Sequence, residues 1–455
     1  MLRLWFNPDR VTQHEEPSRQ RVQRVSWPTQ LRSEQLEDRC VPANYTWNGP
    51  AEGLWSNQAN WLPNGVPGAS DTVVFDGTVD TKSVADIAKV QGVEIAAGYE
   101  GTVFIRTAEG AESTLEVTNT FSMAGGAITS PIHGKSTLLL SGASLFTWTD
   151  GVALNMYIML GSSTNHDVTG KIAGVAVALP DSRLVNYGKF TWAAGTIMAT
   201  TNRTAEIINE PGGTFEVQST GAFWVSVDGQ AQNAGSFTNR GTLHFNTGGV
   251  RIAATFRNTN NGIVRVYPGQ VQFDHEAEQT GGTFELRGGT VKVASNQVLG
   301  IRDGTLTGAG TIDGNLNLGY DGGPATAVTI RPGIESAIGT IEITQSWQMF
   351  SSSGQTWIRI DDNGNTSKIK ATAGWAKLAG VLWIENSKND KPTAGESREF
   401  LTAHLGFDGT NFSHKGVAYW GCWADPNGGG KYVKWSLPAP TGNSYSLVSI
   451  FASGS

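Results

Sequence analysis

A glycine followed by a short run of alternating apolar and polar residues recurs along much of this chain. Typical runs read GKFTW, GGTFEVQ, GTLHF, GIVRV and GGTFEL. Successive marker glycines are separated by 25, 22, 27, 20 and 22 residues; they are Gly188, Gly213, Gly235, Gly262, Gly282 and Gly304. A loose period of about 20 to 27 residues is typical of a solenoid, in which each repeat is one coil stacked on its neighbours. The repeat therefore predicts a solenoid between residues 100 and 345.

Composition favours strands over helices. The 455 residues include 57 glycines, and only 16% of them are charged. Abundant Gly, Thr, Val and Asn are typical of strands joined by tight turns. We therefore predict an all-β protein, and within that class a right-handed parallel β-helix whose Val, Leu, Ile and Phe side chains fill the interior. A β-sandwich or a propeller is the alternative, although propeller blades need a period of about 40 residues or more.

Asparagine often stands close to a turn glycine in these repeats. The examples are Asn186, Asn209, Asn233, Asn239, Asn260 and Asn261. Both Asn and Gly tolerate positive φ, so both suit the turns between strands. Asn side chains in register on stacked turns can also hydrogen-bond to one another as an amide ladder. The pattern therefore predicts coil-on-coil stacking at these turns.

Composition divides the chain into three parts. Residues 1 to 43, with polar stretches such as QHEEPSRQRVQR, are predicted to be a disordered leader or targeting segment. Residues 44 to 345 form the predicted parallel β-helix, and residues 346 to 455 a C-terminal β-rich cap domain. Caps are expected because the exposed ends of a solenoid would otherwise aggregate. The N-terminal cap is expected to contain Trp47, Trp55 and Trp61, and the C-terminal cap to have a core rich in tryptophan, drawn from Trp347, Trp357, Trp375, Trp383, Trp420, Trp423 and Trp435.

Charge and cysteine usage exclude several classes of function. A formal charge of −7, with no Lys/Arg cluster beyond the first 40 residues, argues against a nucleic-acid partner. Cys40 and Cys422 lack the spacing of a zinc site, so we expect no metal, cofactor or disulfide framework, and a single bridge between them is left open. No apolar run approaches the roughly 18 residues that cross a bilayer. The opening MLRLWFNPDR also lacks the pattern of an ordinary signal peptide.

The sequence GTLTGAGTIDGNLNLGYDGGPATAVTIRPGIESAIGTIEITQSWQM, residues 304 to 349, resembles the last coils of autotransporter-passenger and adhesin-like β-helix proteins. The later segment KLAGVLWI is similar to the strands that close such passengers, and TWNG to GVPGASDTVVF is similar to their first coil. The resemblance implies a β-helix with an adhesive role at the cell surface. It departs from autotransporters at SLVSIFASGS, where we expect none of the membrane-barrel strands that those proteins carry.

A second resemblance lies in the leader. QLEDRCVPA is similar to a short element found ahead of predicted surface or secreted domains in planctomycete bacteria. The matching residues are Leu36, Glu37, Asp38, Arg39, Val41, Pro42 and Ala43. The resemblance implies an exported or envelope-associated protein, so the predicted location is extracellular or in the cell envelope.

Some β-helix proteins act on polysaccharides, which makes a search for catalytic acids necessary. Glycoside hydrolysis requires two carboxylates about 5 to 10 Å apart on one groove. Asp303 and Asp313, with Arg302 close by, are the acids nearest to that description. Because ten residues is not one coil period, their side chains need not align. We therefore interpret both acids as turn residues that accept hydrogen bonds from backbone N–H groups.

Three other polar clusters have simpler interpretations. NHDVTGK contains the adjacent residues His166 and Asp167, and FDHEAE contains Asp274, His275 and Glu276. Adjacent residues of a strand point to opposite faces, so neither motif forms a catalytic pair by itself. We interpret them as exposed residues at coil corners. IDDNGN, residues 360 to 365, carries carboxylates that suit calcium, but it lacks the spacing of an EF-hand loop, so a simple turn is favoured.

An aromatic group near the C-terminus is the candidate binding site. YWGCWADPNGGGKYVKW places Trp420, Trp423, Tyr432 and Trp435 around a glycine-rich loop. Planar aromatic side chains can stack on sugar rings, and large exposed apolar groups often mark a contact surface. These four residues are therefore a candidate carbohydrate platform, although the core of the cap is the favoured interpretation.

Together these observations favour a non-catalytic, exported or cell-surface β-solenoid with a structural or adhesive role at the envelope. Its partners would be carbohydrates or other surface components. The alternative is a polysaccharide lyase or hydrolase built on the same fold. A lateral groove with at least two carboxylates and a Lys or Arg would distinguish the enzyme from the adhesin.

Overall fold

The computed structural model describes most of the chain from residue 41 onward. The described residues are 41–106, 112–131, 136–199, 203–227, 230–231, 235–246, 248–321, 326–335, 337–386, 396–408, 412, 423–424, 431–436 and 443–453. For 224–227, 230–231, 386, 423–424, 431–436 and 447–453 the description covers the backbone alone. Most of the predicted leader lies outside these ranges. Pro42–Ser455 forms one compact unit.

Almost all regular structure in the described residues is β-strand. Strands β1 to β10 are Asn44–Trp47, Gly53–Leu54, Trp61–Leu62, Thr72–Phe75, Ser83–Ala85, Lys89–Ile95, Thr102–Ile105, Ser113–Thr129, Ser136–Leu140 and Leu145–Leu154. Strands β11 to β20 are Met156–Leu160, Thr169–Ile172, Ala176–Ala178, Ser182–Asn186, Lys189–Trp192, Thr196–Ala199, Ala205–Asn209, Thr214–Val217, Ala222–Val227 and Gln230–Ala231. A 3₁₀ turn, Gln58–Asn60, precedes β3.

The remaining strands continue the same pattern of short segments. Strands β21 to β30 are Gly235–Asn239, Thr242–Phe245, Val250–Ala253, Thr255–Asn258, Ile263–Val266, Gln270–Phe273, Ala277–Val293, Val298–Asp313, Asn315–Leu318 and Thr329–Pro332. Strands β31 to β40 are Thr340–Ile343, Trp347–Met349, Gln355–Ile360, Lys368–Ala371, Ala376–Lys377, Val381–Asn386, Ser397–Ala403, Trp423–Ala424, Lys431–Ser436 and Ser444–Ser453.

The strands stack as rungs on three faces, and most coils contribute one rung to each face. Face 1 contains β1, β4, β6, β8, β10, β12, β15, β18, β22, β25, β27, β28, β30, β33 and β36. Face 2 contains β2, β5, β7, β13, β16, β19, β23, β26, β31, β34 and β37, together with segments of β8, β10, β27 and β28. Face 3 contains β9, β11, β14, β17, β21, β24, β29, β32 and β35, together with segments of β6, β8, β27 and β28. Long strands such as β27 bend around corners and contribute to all three faces.

Neighbouring rungs are parallel, and their register confirms the predicted period. Along face 1 the cross-coil partners begin with Asn44, Thr72 and Gly92 and continue to Gln355 and Val381. Consecutive partners are 20 to 28 residues apart. The protein is therefore a parallel β-solenoid of about 13 turns, as the glycine spacing predicted.

Aromatic side chains stack along the interior of face 1. Phe121 and Phe146, which are register partners, have ring centroids 5.3 Å apart and nearly parallel planes. The next partner is Gly170, and beyond it Phe190 and Phe215 stack with centroids 4.8 Å apart. A Cβ at Gly170 would lie 2.4 Å from Cδ2 of Phe190, so the Phe190 ring fills the space that the glycine leaves. The interior thus requires a small residue at this rung.

Face 3 carries a buried amide ladder. Asn186, Asn209, Asn239, Asn258 and Gln279 are successive register partners with no exposed surface. Each donates from its side-chain nitrogen to the side-chain oxygen of the next, at 2.8, 2.8, 2.7 and 3.0 Å. The ladder predicted from sequence is thus formed, although Asn258 and Gln279 replace Asn260 and Asn261 as members, and Asn233 lies outside the described residues.

The three N-terminal tryptophans fill the interior of the first coil. Trp47, Trp55 and Trp61 are at most 1% exposed. Their rings meet edge to face, with centroids 5.1 Å apart for Trp47 and Trp61 and 5.6 Å for Trp55 and Trp61. The short strand β3 pairs antiparallel with the free edge of β1, where the stack of face 1 begins. These residues lie in the first coil, the end of the solenoid for which the N-terminal cap was predicted.

Parallel pairing continues across residue 345, where the sequence analysis placed a domain boundary. Strands β33 and β36 extend face 1, β34 and β37 extend face 2, and β32 and β35 extend face 3. The pattern changes at β37, which pairs antiparallel with β40, and β40 in turn pairs antiparallel with β39. The described coils therefore end in an antiparallel group of strands.

Candidate functional site

The predicted aromatic platform falls largely outside the described side chains. Trp420 lies outside the described residues altogether. Trp423 is in β38, and Tyr432 and Trp435 are in β39, whose backbones pair antiparallel with Trp423 opposite Val433. The platform at these four residues therefore stays a prediction.

The candidate acids Asp303 and Asp313 lie on different parts of the coil. Asp303 stands at the corner between faces 3 and 1, where its Oδ1 accepts a hydrogen bond from the Gly304 N–H at 2.6 Å. Asp313 ends the face 2 rung of β28 and accepts from the Thr344 hydroxyl at 2.9 Å. Arg302 pairs with Glu278 at 2.9 Å. The structure therefore does not combine these residues into a hydrolytic pair.

The other polar clusters are engaged in local contacts. The imidazole of His166 hydrogen-bonds through Nδ1 to the carbonyl of Tyr187 at 2.6 Å. Asp274 forms an ion pair with Arg251, and Glu276 forms one with Arg257 at 3.3 Å. His166 and Asp167 are exposed, as interpreted, whereas the Asp274 side chain is only 10% exposed and His275 is half-buried. The interpretation as exposed residues is therefore wrong for Asp274 and His275.

The Asp361 carboxylate closes its own turn. Its Oδ1 accepts hydrogen bonds from the backbone of Asn363 at 2.9 Å and of Asn365 at 2.8 Å, and its Oδ2 accepts from the Asn365 side chain at 2.9 Å. The bonds from Asn365, together with that from Asn363, hold the pKa of Asp361 below its usual range. Across the described part of the chain, no group of three or more His, Cys, Asp or Glu side chains could hold a metal ion.

A row of charged and aromatic side chains runs along the outside of face 1. We call it the outer row; from its N-terminal end it contains Glu216, His244, Arg265, Glu285, Thr307, Arg331, Trp357 and Trp383. Each coil contributes one member because residues alternate between the interior and the exterior along every rung. In β22, for example, Leu243 and Phe245 are buried while His244 points outward. The outer row is therefore a continuous surface that the coil repeat itself builds.

Glu285 is the most buried ionised group of the outer row. Its carboxylate lies 2.8 Å from Arg265 and 2.9 Å from Arg287, and its side chain is only 7% exposed. The guanidinium of Arg287 also stands over the ring of Tyr267, 5.6 Å from its centroid. Because two arginines share one carboxylate, the cluster carries a formal charge of about +1 close to the surface.

His244 is the titratable member of the outer row. Its Nε2 lies 3.2 Å from Nη1 of Arg265, and its Nδ1 lies 4.0 Å from Glu216. Burial and then the neighbouring Arg265 charge lower the pKa of His244. The imidazole is therefore held in its neutral form more strongly than a free histidine.

Two tryptophans form the C-terminal end of the outer row. The indoles of Trp357 and Trp383 stack with centroids 5.3 Å apart and planes 17° apart, and Arg331 lies 5.7 Å from the Trp357 ring. Glu385 binds Arg331 at 2.7 Å and Arg359 at 3.0 Å. The sequence analysis placed both tryptophans in a cap core, but both are only half-buried. They point outward because coil stacking continues here and alternate residues of each rung face solvent.

The outer row was not predicted from the sequence, although its signal is present in the repeats. GTLHF, GIVRV and GGTFEL each place one polar residue between two apolar ones, and these residues are His244, Arg265 and Glu285. Aligning the runs on their inward residues brings all three into one column. What the sequence lacked was the register between coils, because coil length varies.

Comparison with known proteins identifies no family for this chain. A scan against known protein families finds no match to the chain, and a search of curated proteins finds none either. Among the described residues, no helix is long and apolar enough to cross a membrane.

Proposed function

We propose that this chain is a non-catalytic β-solenoid, exported or held at the cell envelope, which binds an extended surface partner along the outer row of face 1. The observation that carries the proposal is the outer row itself. It presents arginine, glutamate and stacked tryptophan side chains, one per coil, on a stiff stack of strands. Arginine and tryptophan are the residues most enriched where proteins make strong contacts.

A binding role accounts for the electrostatics of the row better than an acid–base role. Glu285 and Glu385 are each bound by two arginines. These ion pairs hold each carboxylate against arginine side chains, whereas the acid of a glycosidase must face the bond that it cleaves. The polysaccharide-active alternative therefore receives less support from this surface.

The location half of the proposal is tested in cells that express the full chain. Intact cells would be fractionated and treated with protease before lysis, with the chain detected by antibody. We expect the chain in the envelope or external fraction and cleavage without lysis. Recovery of an intact chain in the cytosol alone would refute the proposed location.

The binding half is tested with purified chain immobilised on beads and incubated with the cells' own envelope material. The double variant Arg331→Ala, Trp357→Ala is compared with Arg183→Ala, Tyr157→Ala, which removes a similar arginine–aromatic contact of 5.0 Å from face 3. We expect capture to fall only for the outer-row variant. Equal capture by both variants, with both folded, would contradict a role for the outer row.

A further inference from the structure

A polar cleft of about 570 Å³ opens at a corner of the solenoid, away from the outer row. It lies where the chain passes from face 2 to face 3. Its polar lining is formed by Gln272, Lys292, Ser295, Asp313, Asn315 and Gln345, and its apolar part includes Val293 and Ala294. Its volume lies within the range of about 300 to 1,000 Å³ that is typical of ligand sites.

One corner at the cleft is much shorter than the corners before and after it. Between β27 and β28 the corner comprises residues 294–297, and between β31 and β32 it comprises residues 344–346. Between β28 and β29 the corner is Gly314 alone. Gly314 has φ +146°, and a Cβ there would lie 2.1 Å from Cγ2 of Val293. The short corner thus forms the floor of a notch between two longer ones.

Lys292 and Asp313 occupy this notch as cross-coil neighbours. Gln272, Lys292 and Asp313 are successive register partners on the outside of face 2. Opposite charges on adjacent rungs would ordinarily form an ion pair. However, the Lys292 ammonium forms no ion pair or hydrogen bond with any described residue, and Asp313 binds only the Thr344 hydroxyl and lines the cleft. Both charged groups are therefore available to a ligand.

The chemistry of this lining points to a ligand rich in hydroxyl groups. A hydroxyl both donates and accepts hydrogen bonds, and the amides of Asn315 and Gln345 can do the same. Lys292 adds donors, and Asp313 adds acceptors. Their charges cancel, so the site favours a neutral ligand over an anionic one. The apolar atoms of Ala294 and Val293 offer contact to the C–H groups of a sugar ring.

We infer that this corner cleft binds a neutral oligosaccharide segment. The inference rests on the proposed function, because it names a partner class for a surface solenoid. The described lining holds one carboxylate, Asp313, whereas glycoside hydrolysis requires two about 5 to 10 Å apart. Asp313 is therefore assigned the role of a hydrogen-bond acceptor for the ligand.

Isothermal titration of the full chain tests this inference. The probes are three neutral hexasaccharides, cellohexaose, xylohexaose and mannohexaose, with hexagalacturonate as the acidic comparison. Lys292→Met and Gln345→Ala alter the cleft, and Lys189→Met removes an exposed lysine of face 1 as the matched control. Thermal unfolding of every variant checks that the fold is retained.

We expect at least one neutral probe to bind the parent chain. Its affinity for Lys292→Met should be about tenfold weaker, because a hydrogen bond from a charged donor is lost. Its affinity for Lys189→Met should equal that for the parent. Absence of binding by all three neutral probes at concentrations up to about 10 mM would overturn the inference. Tighter binding of hexagalacturonate, or equal binding by the cleft variants and the control, would do so too. None of these outcomes changes the result of the test for cellular location. The experiments can therefore refute sugar binding at the cleft without refuting the proposed function, and the reverse.

Discussion

The side-chain nitrogen of Asn209 donates a hydrogen bond to the side-chain oxygen of Asn239 at 2.8 Å, although the two residues are 30 positions apart in sequence. Every member of the amide ladder donates in the same direction along the stack. At the far end Gln279 donates to the backbone carbonyls of Asp303, at 3.1 Å, and of Thr305, at 3.2 Å. The ladder thus forms one directional chain of hydrogen bonds, in which each bond polarises the next.

Replacement of a central ladder residue should destabilise the coils on both sides of it. Asn239→Ala removes the donor that binds Asn258 at 2.7 Å and leaves that buried oxygen without its side-chain partner. We expect a loss of about 3 kcal/mol, which combines an unpaired buried group with a cavity. Denaturant unfolding measures the loss, and Asn261→Ala, at an exposed turn, is the control. Equal stability of the two variants would show that the ladder contributes little.

A side chain at Gly170 should disrupt the aromatic stack. The Cβ of Gly170→Ala would lie 2.4 Å from the Phe190 ring, so the ring must move. Overpacking of this kind costs about 1 to 3 kcal/mol. Adding Phe190→Leu to Gly170→Ala should recover part of that loss in thermal unfolding, because the smaller side chain vacates the space.

The control for this experiment is Gly98→Ala, whose Cβ would meet its nearest neighbour, the Asp76 carbonyl oxygen, at 3.5 Å, an ordinary contact. We expect that variant to unfold within about 0.5 kcal/mol of the parent. If Phe190→Leu gives no recovery in the Gly170→Ala background, the steric explanation is wrong.

Glu285 and Glu385 provide a matched pair for separating buried from exposed charge. Both bind two arginines, but the side chain of Glu285 is 7% exposed and that of Glu385 is 38% exposed. Glu285→Ala leaves Arg265 and Arg287 without their shared anion near the interior, and we expect a loss of about 3 kcal/mol. Glu385→Ala should cost less than about 1 kcal/mol because water screens the exposed pair. Chemical denaturation of both variants tests the ranking, and a reversed order would contradict it.

The lowered pKa of His244 predicts a defined pH dependence. Burial, followed by the Arg265 charge, makes the folded chain bind a proton at His244 less readily than the unfolded chain, whose pKa is about 6.5. This contribution is therefore constant above about pH 6.5, and stability falls as the pH drops from there toward the lowered folded pKa. Thermal midpoints between pH 7.5 and 5, for the parent and for His244→Gln, measure it.

The His244→Gln variant should lose this component of the acid sensitivity, whereas His404→Gln, at an exposed histidine, should retain it. Identical pH profiles for the parent and His244→Gln would show that other groups dominate the response.

Deletion of residues 1 to 43 should separate folding from location. Strand pairing on face 1 begins at Asn44, and among the described contacts the deletion removes two hydrogen bonds at the end of the stack, those of Ala43 with Asp71 and Thr72. We therefore expect the shortened chain to unfold close to the temperature of the full chain. We also expect it to be retained inside the cell, since the deleted segment carries the leader resemblance. Fractionation checks the location, and unchanged export of the shortened chain would count against the leader.

The sequence predicted the all-β class, the coil period and three members of the amide ladder, Asn186, Asn209 and Asn239, because these features repeat. Interior side chains alternate with exterior ones along each rung, and the turn glycines mark the coils. Both patterns can therefore be recognised directly in the amino-acid sequence. The notch at Gly314 was not predicted, since it depends on the lengths of three successive corners relative to one another. Nor was the outward position of Trp357 and Trp383, because hydrophobicity alone favours burial for such large rings.

Rungs and corners of this solenoid differ in how much their lengths vary. Most face 1 rungs keep four residues and a fixed inward pattern, while the number of residues between a face 2 rung and the next face 3 rung ranges from one, at Gly314, to seven, between Ile105 and Ser113. Insertions and deletions at corners therefore leave the stack intact and change only what it displays. The solenoid is in this sense a scaffold for variable loops. New surface contacts can arise one coil at a time while the stacked strands keep their pairing.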